Sequence, residues 1–202
     1  MRKLLFPIVL IVVLLLSACS SKDDFKADYK EAVQPFSYTN HHNEEVSLDD
    51  LKGDVWLAQF VFSNCTTVCG PMMHNMAELQ DALIEKGVED YKIVSFTVDP
   101  VYDKPDVLKG YLEQFAPSDE SKWEMLTGYK QSEIIEVAKK SFFTIVADDP
   151  NSDQVIHGTS FILIDQEGNL VKMYNGVNDG EKVFSDYMDD IANDIKALSE
   201  RS

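Results

Sequence analysis

Positive charge is scarce in this sequence: 18 Lys and Arg stand against 35 Asp and Glu, a formal net charge of −17 over 202 residues. No Lys/Arg cluster interrupts the acidity, which excludes nucleic acid as a partner held by counterion release. Cysteine is scarcer still. Three residues cannot build a disulfide scaffold, and an odd number in an exported chain requires one of them to be explained separately. Long hydrophobic runs are also missing. The apolar run from Leu4 stops at Leu16, short of the roughly 20 residues a membrane-spanning helix needs. There is no internal repeat and no sign of a second domain. What is present is apolar mass: 45% hydrophobic residues, with eleven Phe, eight Tyr and two Trp. That is enough to fill one core and excludes a disordered chain.

The N-terminus reads as an export signal over residues 1–18, with Arg2 and Lys3 ahead of the apolar run and the small residues Ser17 and Ala18 at its end. Leu16-Ser17-Ala18-Cys19 resembles the bacterial lipobox, which is cut just before the cysteine, whose thiol then becomes a thioether to diacylglycerol. Cys19 is therefore the expected lipid anchor. Residues 19–33, including the polar Ser20-Ser21-Lys22-Asp23-Asp24, are expected to form a flexible tether, and residues 34–202 the folded domain. This places the domain on the extracytoplasmic face of the bacterial cell membrane. Removing Arg2 and Lys3 makes the exported part more acidic still, which keeps it off an anionic lipid surface.

Within the domain, Phe36 to Thr39 and Glu45 to Leu48 flank a polar turn containing His41, His42 and Asn43, the pattern of a β-hairpin. Val55 to Phe62 lacks alternation and is too short for a buried helix, so it predicts a central strand. Met72, Met76, Leu79 and Leu83 recur at helical spacing and predict a helix over Pro71 to Glu85, stopped by Gly87. Tyr91 to Val98 reads as a second buried strand. Asp103 with Pro105 and Asp106 looks like a helix start, with Asp103 as its cap. A short strand near Trp123 to Leu126 precedes a helix carrying Ile134, Ile135, Ala138 and Phe142. Val155 to Asp165 and Leu170 to Tyr174 flank a turn and predict a second hairpin, before a last helix with Phe184, Tyr187, Met188, Ile191, Ile195 and Leu198 inward. This order is a thioredoxin-like α/β plan with an N-terminal β-hairpin and an inserted helix.

Cys65-Thr66-Thr67-Val68-Cys69 sits where a buried strand gives way to a helix, at the carboxyl end of the sheet, where α/β proteins place their sites. Free helix N–H groups favour thiolate there. Two sulfurs four residues apart can close a disulfide or clasp a soft metal ion. On these residues alone the redox and metal readings stay level. His157, in Gln154-Val155-Ile156-His157-Gly158-Thr159, enters the late hairpin where a thioredoxin-like plan faces the cysteine turn, although a lone histidine is more often a surface or core residue. Met72 and Met76 fit the core stripe better than a soft-ligand role, and His74 faces solvent. His41 and His42 are accounted for by their polar turn, and the acidic loop Asp148 to Asp153 reads as solvated and mobile.

Three ordered blocks then stand out: Phe62-Ser63-Asn64-Cys65-Thr66-Thr67-Val68-Cys69; Ser95-Phe96-Thr97-Val98-Asp99-Pro100 with Asp103 and Pro105; and His157. From Gln34 onward the chain resembles the Sco/SenC family, thioredoxin-like proteins that bind copper through a CxxxC pair and one distant histidine. Members usually carry proline directly after the second cysteine; here Gly70 intervenes before Pro71. The resemblance implies that Cys65, Cys69 and His157 bind copper as Cu(I) and Cu(II), and that the protein serves the copper A subunit of cytochrome c oxidase. It also implies that Asp99 orients His157 or tunes its charge from behind the ligands. Two thiolates suit Cu(I), an added imidazole accommodates Cu(II), and three donors are one short of a structural zinc site. The alternatives carried forward are a thiol–disulfide oxidoreductase, with Cys65 and Cys69 as its catalytic pair and a thiol reductant as a further partner, and a copper- or redox-sensing lipoprotein.

Overall fold

The computed structural model describes residues 25–178, 180 and 183–201. The expected signal peptide and the Cys19 anchor lie outside the described residues. Among the described residues, ten strands and four α-helices follow in chain order: β1 (Glu31–Ala32), β2 (Ser37–Asn40), β3 (Glu45–Ser47), β4 (Val55–Val61), α1 (Cys69–Glu85), β5 (Tyr91–Thr97), α2 (Pro105–Glu113), β6 (Trp123–Thr127), α3 (Gln131–Ser141), β7 (Val146–Asp148), β8 (Val155–His157), β9 (Ser160–Ile164), β10 (Asn169–Asn175) and α4 (Ser185–Ser199).

Eight strands form one mixed sheet in the order β1-β10-β9-β4-β5-β6-β2-β3. β4, β5 and β6 run parallel, with Phe60 beside Phe96 and Phe96 beside Leu126. Every residue of β4 is buried, as expected of a strand covered on both faces. Phe60, Phe96 and Phe142 form an aromatic cluster with centroids 5.3–5.5 Å apart. α1 and α4 pack on one another, and α2 packs beside β6. The N-terminal hairpin is present as β2 and β3, with β2 added antiparallel to β6.

Three expectations are corrected. Residues 25–33 are not tether: Phe25 and Val33 are buried, β1 pairs with β10, and the amides of Asp28 and Tyr29 donate to Val171 O. The predicted strand from Val155 to Asp165 is two strands, broken at Gly158-Thr159. β9 continues the hairpin with β10, but β8 pairs with β7 in a separate two-stranded ribbon. Asp103 does not cap α2. The residue before that helix is Lys104, while Asp103 turns inward and is fully buried.

Candidate metal centre

β4 delivers the chain to the site, and a buried carboxylate shapes the turn that follows. Asp103 accepts the Ser63 amide at 3.1 Å and the hydroxyls of Ser63 and Thr97. Burial raises its pKa in spite of those three bonds. The turn closes with the Cys65 amide on Phe62 O at 3.3 Å.

α1 begins two residues earlier than its periodicity predicts, at Cys69 itself. Val68, the residue before it, has no side chain that can accept a hydrogen bond, so the first-turn N–H groups need another acceptor. Cys65 Sγ supplies one, taking the Cys69 amide at 3.4 Å. Gly70 occupies the next position, where an added Cβ would meet nothing within 4 Å, so no close approach requires the glycine there.

The thiols are unequal. Cys65 is half-buried, and its pKa falls from 9.0 to about 3, first through the hydrogen bond from the Cys69 side chain, against the opposing effect of burial. Cys69 is fully buried, and its pKa rises, first through burial and then through its bond to Cys65. The pair therefore stands as one thiolate and one thiol, and both cysteines are free.

His157 completes the cluster from β8. Its Nε2 lies 3.1 Å from Cys69 Sγ, and its Nδ1 lies 3.0 Å from Gly158 O. A carbonyl only accepts, so Nδ1 donates to Gly158 O, and Nε2 is the nitrogen turned to the sulfurs. This is the orientation of a metal-binding imidazole whose far nitrogen is held by backbone. Phe62 braces the ring edge-on at 5.9 Å. The donor atoms of Cys65, Cys69 and His157 all lie within 4.8 Å of one another. Two sulfurs and one imidazole nitrogen, converging from a helix start and a ribbon, fit a soft or borderline ion such as copper.

Asp99 does not join them. Both His157 nitrogens are engaged elsewhere, while Asp99 accepts the Tyr102 amide at 3.3 Å and donates its own amide to Thr97 Oγ1. Met72, Met73 and Met76 are fully buried, and exposed His74 pairs with Glu78 at 3.3 Å. His41, expected in a polar turn, is buried. Its Nδ1 accepts the Met125 amide at 3.3 Å and its Nε2 lies 3.7 Å from Glu120. With His42, these residues form a second convergent group. There the proton of the neutral His41 ring is forced onto Nε2, the nitrogen facing the group. The residues missed from the sequence are Asp103, as holder of the turn, and Gln154, whose amide reaches Thr66 and Asn64. A lone polar side chain outside a helix or strand carries no periodic signal.

The SCO1/SenC family profile matches residues 25–192. The SCO1 protein homolog of Bacillus subtilis (strain 168) is 43% identical over 189 residues, covering 94% of this chain and 93% of the relative. The solved structure of BsSco, a member of the Sco family of cytochrome c oxidase assembly proteins with an identified disulfide switch, superposes with a TM-score of 0.76 at 43% identity, covering 88% of this chain and 99% of that one. Copper-bound yeast Sco1 superposes with a TM-score of 0.66 at 26% identity, covering 82% and 89%. By the extent of these matches and by its thioredoxin-like fold, the chain belongs to the SCO1/SenC family.

Proposed function

We propose that this protein is a membrane-tethered, extracytoplasmic copper carrier for the copper A centre of cytochrome c oxidase, with Cys65, Cys69 and His157 as ligands and Cys19 as lipid anchor. The carrying observation is the convergence of two sulfurs and the His157 Nε2 within 4.8 Å, with Cys69 and His157 at 3.1 Å. Cu(I) is satisfied by the sulfurs alone, whereas the imidazole extends the set to Cu(II). The cycle starts from the dithiol, because a Cys65–Cys69 disulfide has no thiolate to offer. Copper binding displaces the Cys69 proton, His157 closes the set, and exchange with a partner's cysteines passes the ion on.

Anaerobic titration of the reduced protein with Cu(II) is expected to develop an intense sulfur-to-copper charge-transfer band. His157→Ala should lose tight binding and oxidase assembly together. The anchor is tested separately: Cys19→Ala should move the protein from membrane to soluble fraction.

One observation favours a second reading. A half-buried thiolate at Cys65 beside a protonated Cys69 is also the arrangement of a thiol–disulfide exchanger. Cys65 would attack a partner disulfide, and deprotonated Cys69 would resolve the mixed disulfide. This leaves the partner as a dithiol and this protein oxidised, to be recycled by a thiol reductant. Oxidase assembly that survives His157→Ala but fails in Cys65→Ser selects this reading over copper delivery.

A further inference from the structure

The histidine and the cysteines arrive on separate pieces of the fold. β7 and β8 pair only with each other, and the ribbon joins the main body through Thr144 on one side and Gly158 on the other. Thr144 Oγ1 occupies the space a Cβ on Gly158 would need, 1.9 Å away, so this joint is closely packed. Phe143, just before it, adopts a left-handed backbone conformation at φ 49°. The far end of the ribbon is exposed and holds itself together, with Asp149 accepting the amide of Asn151 and the hydroxyl of Ser152. The outer face carries Ile145 and Ile156 into solvent. Between this ribbon and the cysteine loop lies the gap that His157 crosses to reach Cys69.

Gln154 bridges that gap. Its Oε1 accepts the Thr66 amide at 3.2 Å and the Thr66 hydroxyl at 3.3 Å, and its Nε2 donates to Asn64 O at 3.2 Å. The two ends of one amide thus grip the residues on either side of Cys65, with donor and acceptor matched. Cys69 and His157, 3.1 Å apart, form a further link between ribbon and cysteine loop. The Gln154 contacts are solvent-accessible, so each is weak and can open without unfolding the domain.

We propose that Gln154 is a positioning residue: its amide clasps the histidine-bearing ribbon to the cysteine loop and sets how readily the site opens to release its ion. The part concerning the ion rests on the copper reading; the clasp itself does not. Gln154→Ala removes both grips. Gln154→Glu keeps an acceptor for Thr66 but cannot donate to Asn64 O.

The first readout uses reduced, metal-free full-length protein. Amide exchange at Thr66 and along 146–157 is expected to speed by about tenfold in Gln154→Ala, less in Gln154→Glu, with the rest of the chain unchanged. The second follows decay of the charge-transfer band when a chelator is added to the copper-loaded protein. Release should quicken by a similar factor of about ten, with the band position unchanged because the ligands are the same. Unchanged exchange in the metal-free variant overturns the clasp, whether or not wild-type protein shows the band. A shifted band also overturns the proposal, since Gln154 would then be altering the ligand set itself. If wild-type protein shows no band, the copper reading fails while accelerated exchange still supports the clasp.

Discussion

Cys65 should alkylate at a rate that scarcely changes between pH 5 and 8. Iodoacetamide reacts with the thiolate, so the profile reports how the site holds its charge. An ordinary thiol titrating near 9.0 is ionised to about 1% at pH 7 and about 0.01% at pH 5. Cys65, lowered to about 3, is a thiolate throughout that range. A thiolate so stabilised is also a weaker nucleophile. With a Brønsted slope of ~0.45, the fall from 9.0 to about 3 cuts its intrinsic rate by roughly 500-fold. Relative to an equally accessible ordinary cysteine, Cys65 should therefore react about five-fold slower at pH 7 and about twenty-fold faster at pH 5. The assay is mass spectrometry of the Cys65 peptide after timed alkylation of reduced protein, with an unstructured cysteine peptide as reference. Cys69 is fully buried and labels much later, so the two are separable. Cys69→Ala removes the largest cause of the lowering and should restore a rate that climbs with pH. A wild-type rate rising about tenfold per pH unit from 6 to 8 would refute the reasoning, because Cys65 would then be an ordinary thiol.

Two further outcomes follow from buried groups. Asp103→Ala strands the Ser63 amide and the Thr97 hydroxyl and should cost about 2–4 kcal/mol in urea unfolding, with Asp103→Asn costing less because it keeps an acceptor. A loss below about 0.5 kcal/mol for the alanine variant would mean the carboxylate does not organise the turn. His41 is held neutral down to about pH 4, first by burial and then by the charges of His42 and Lys109. The unfolded chain binds that proton first, near pH 6.5, so the stability His41 contributes above 6.5 is lost as the pH falls towards 4. His41→Gln, which retains an acceptor for the Met125 amide, should flatten that part of the Tm profile. A variant profile parallel to wild type from 6.5 to 4 would show that His41 does not drive the acid loss.

Much of the scaffold was legible because burial on both faces leaves an unmistakable pattern. Val55 to Val61 is a nearly unbroken apolar run, Tyr91 to Thr97 is interrupted only by Lys92, Ser95 and Thr97, and both are strands buried along almost their whole length. Cys65 and Cys69 were legible as a pair because a strand-to-helix junction dictates their spacing. The errors lie where partners are distant or patterns short. α1 starts before Pro71 because a sulfur takes the place of a conventional cap. Val146 to Asp148 is too brief and runs too soon into acids to announce a strand, so the ribbon was merged into the later hairpin. Asp103 looked like a cap because Pro105 follows it, while its actual partners, Ser63 and Thr97, come from elsewhere in the sequence.

Cys69 and His157 are separated by 88 residues of chain, and that distance gives the centre an order of assembly. The two sulfurs are neighbours on one helical turn and exist as a pair as soon as that turn forms. The imidazole joins only after a long loop has closed, at an entropic cost of about 4 kcal/mol by the logarithmic rule for chain closure. That cost is recovered only when β9 has docked beside β4 and the ribbon has settled on the finished sheet. On the copper reading, a thiophilic ion that meets the chain early would be held by two donors, and one that meets it late by three. Coordination number would then record whether folding is complete, and an ion that requires the third donor would be accepted only by a protein that has finished folding.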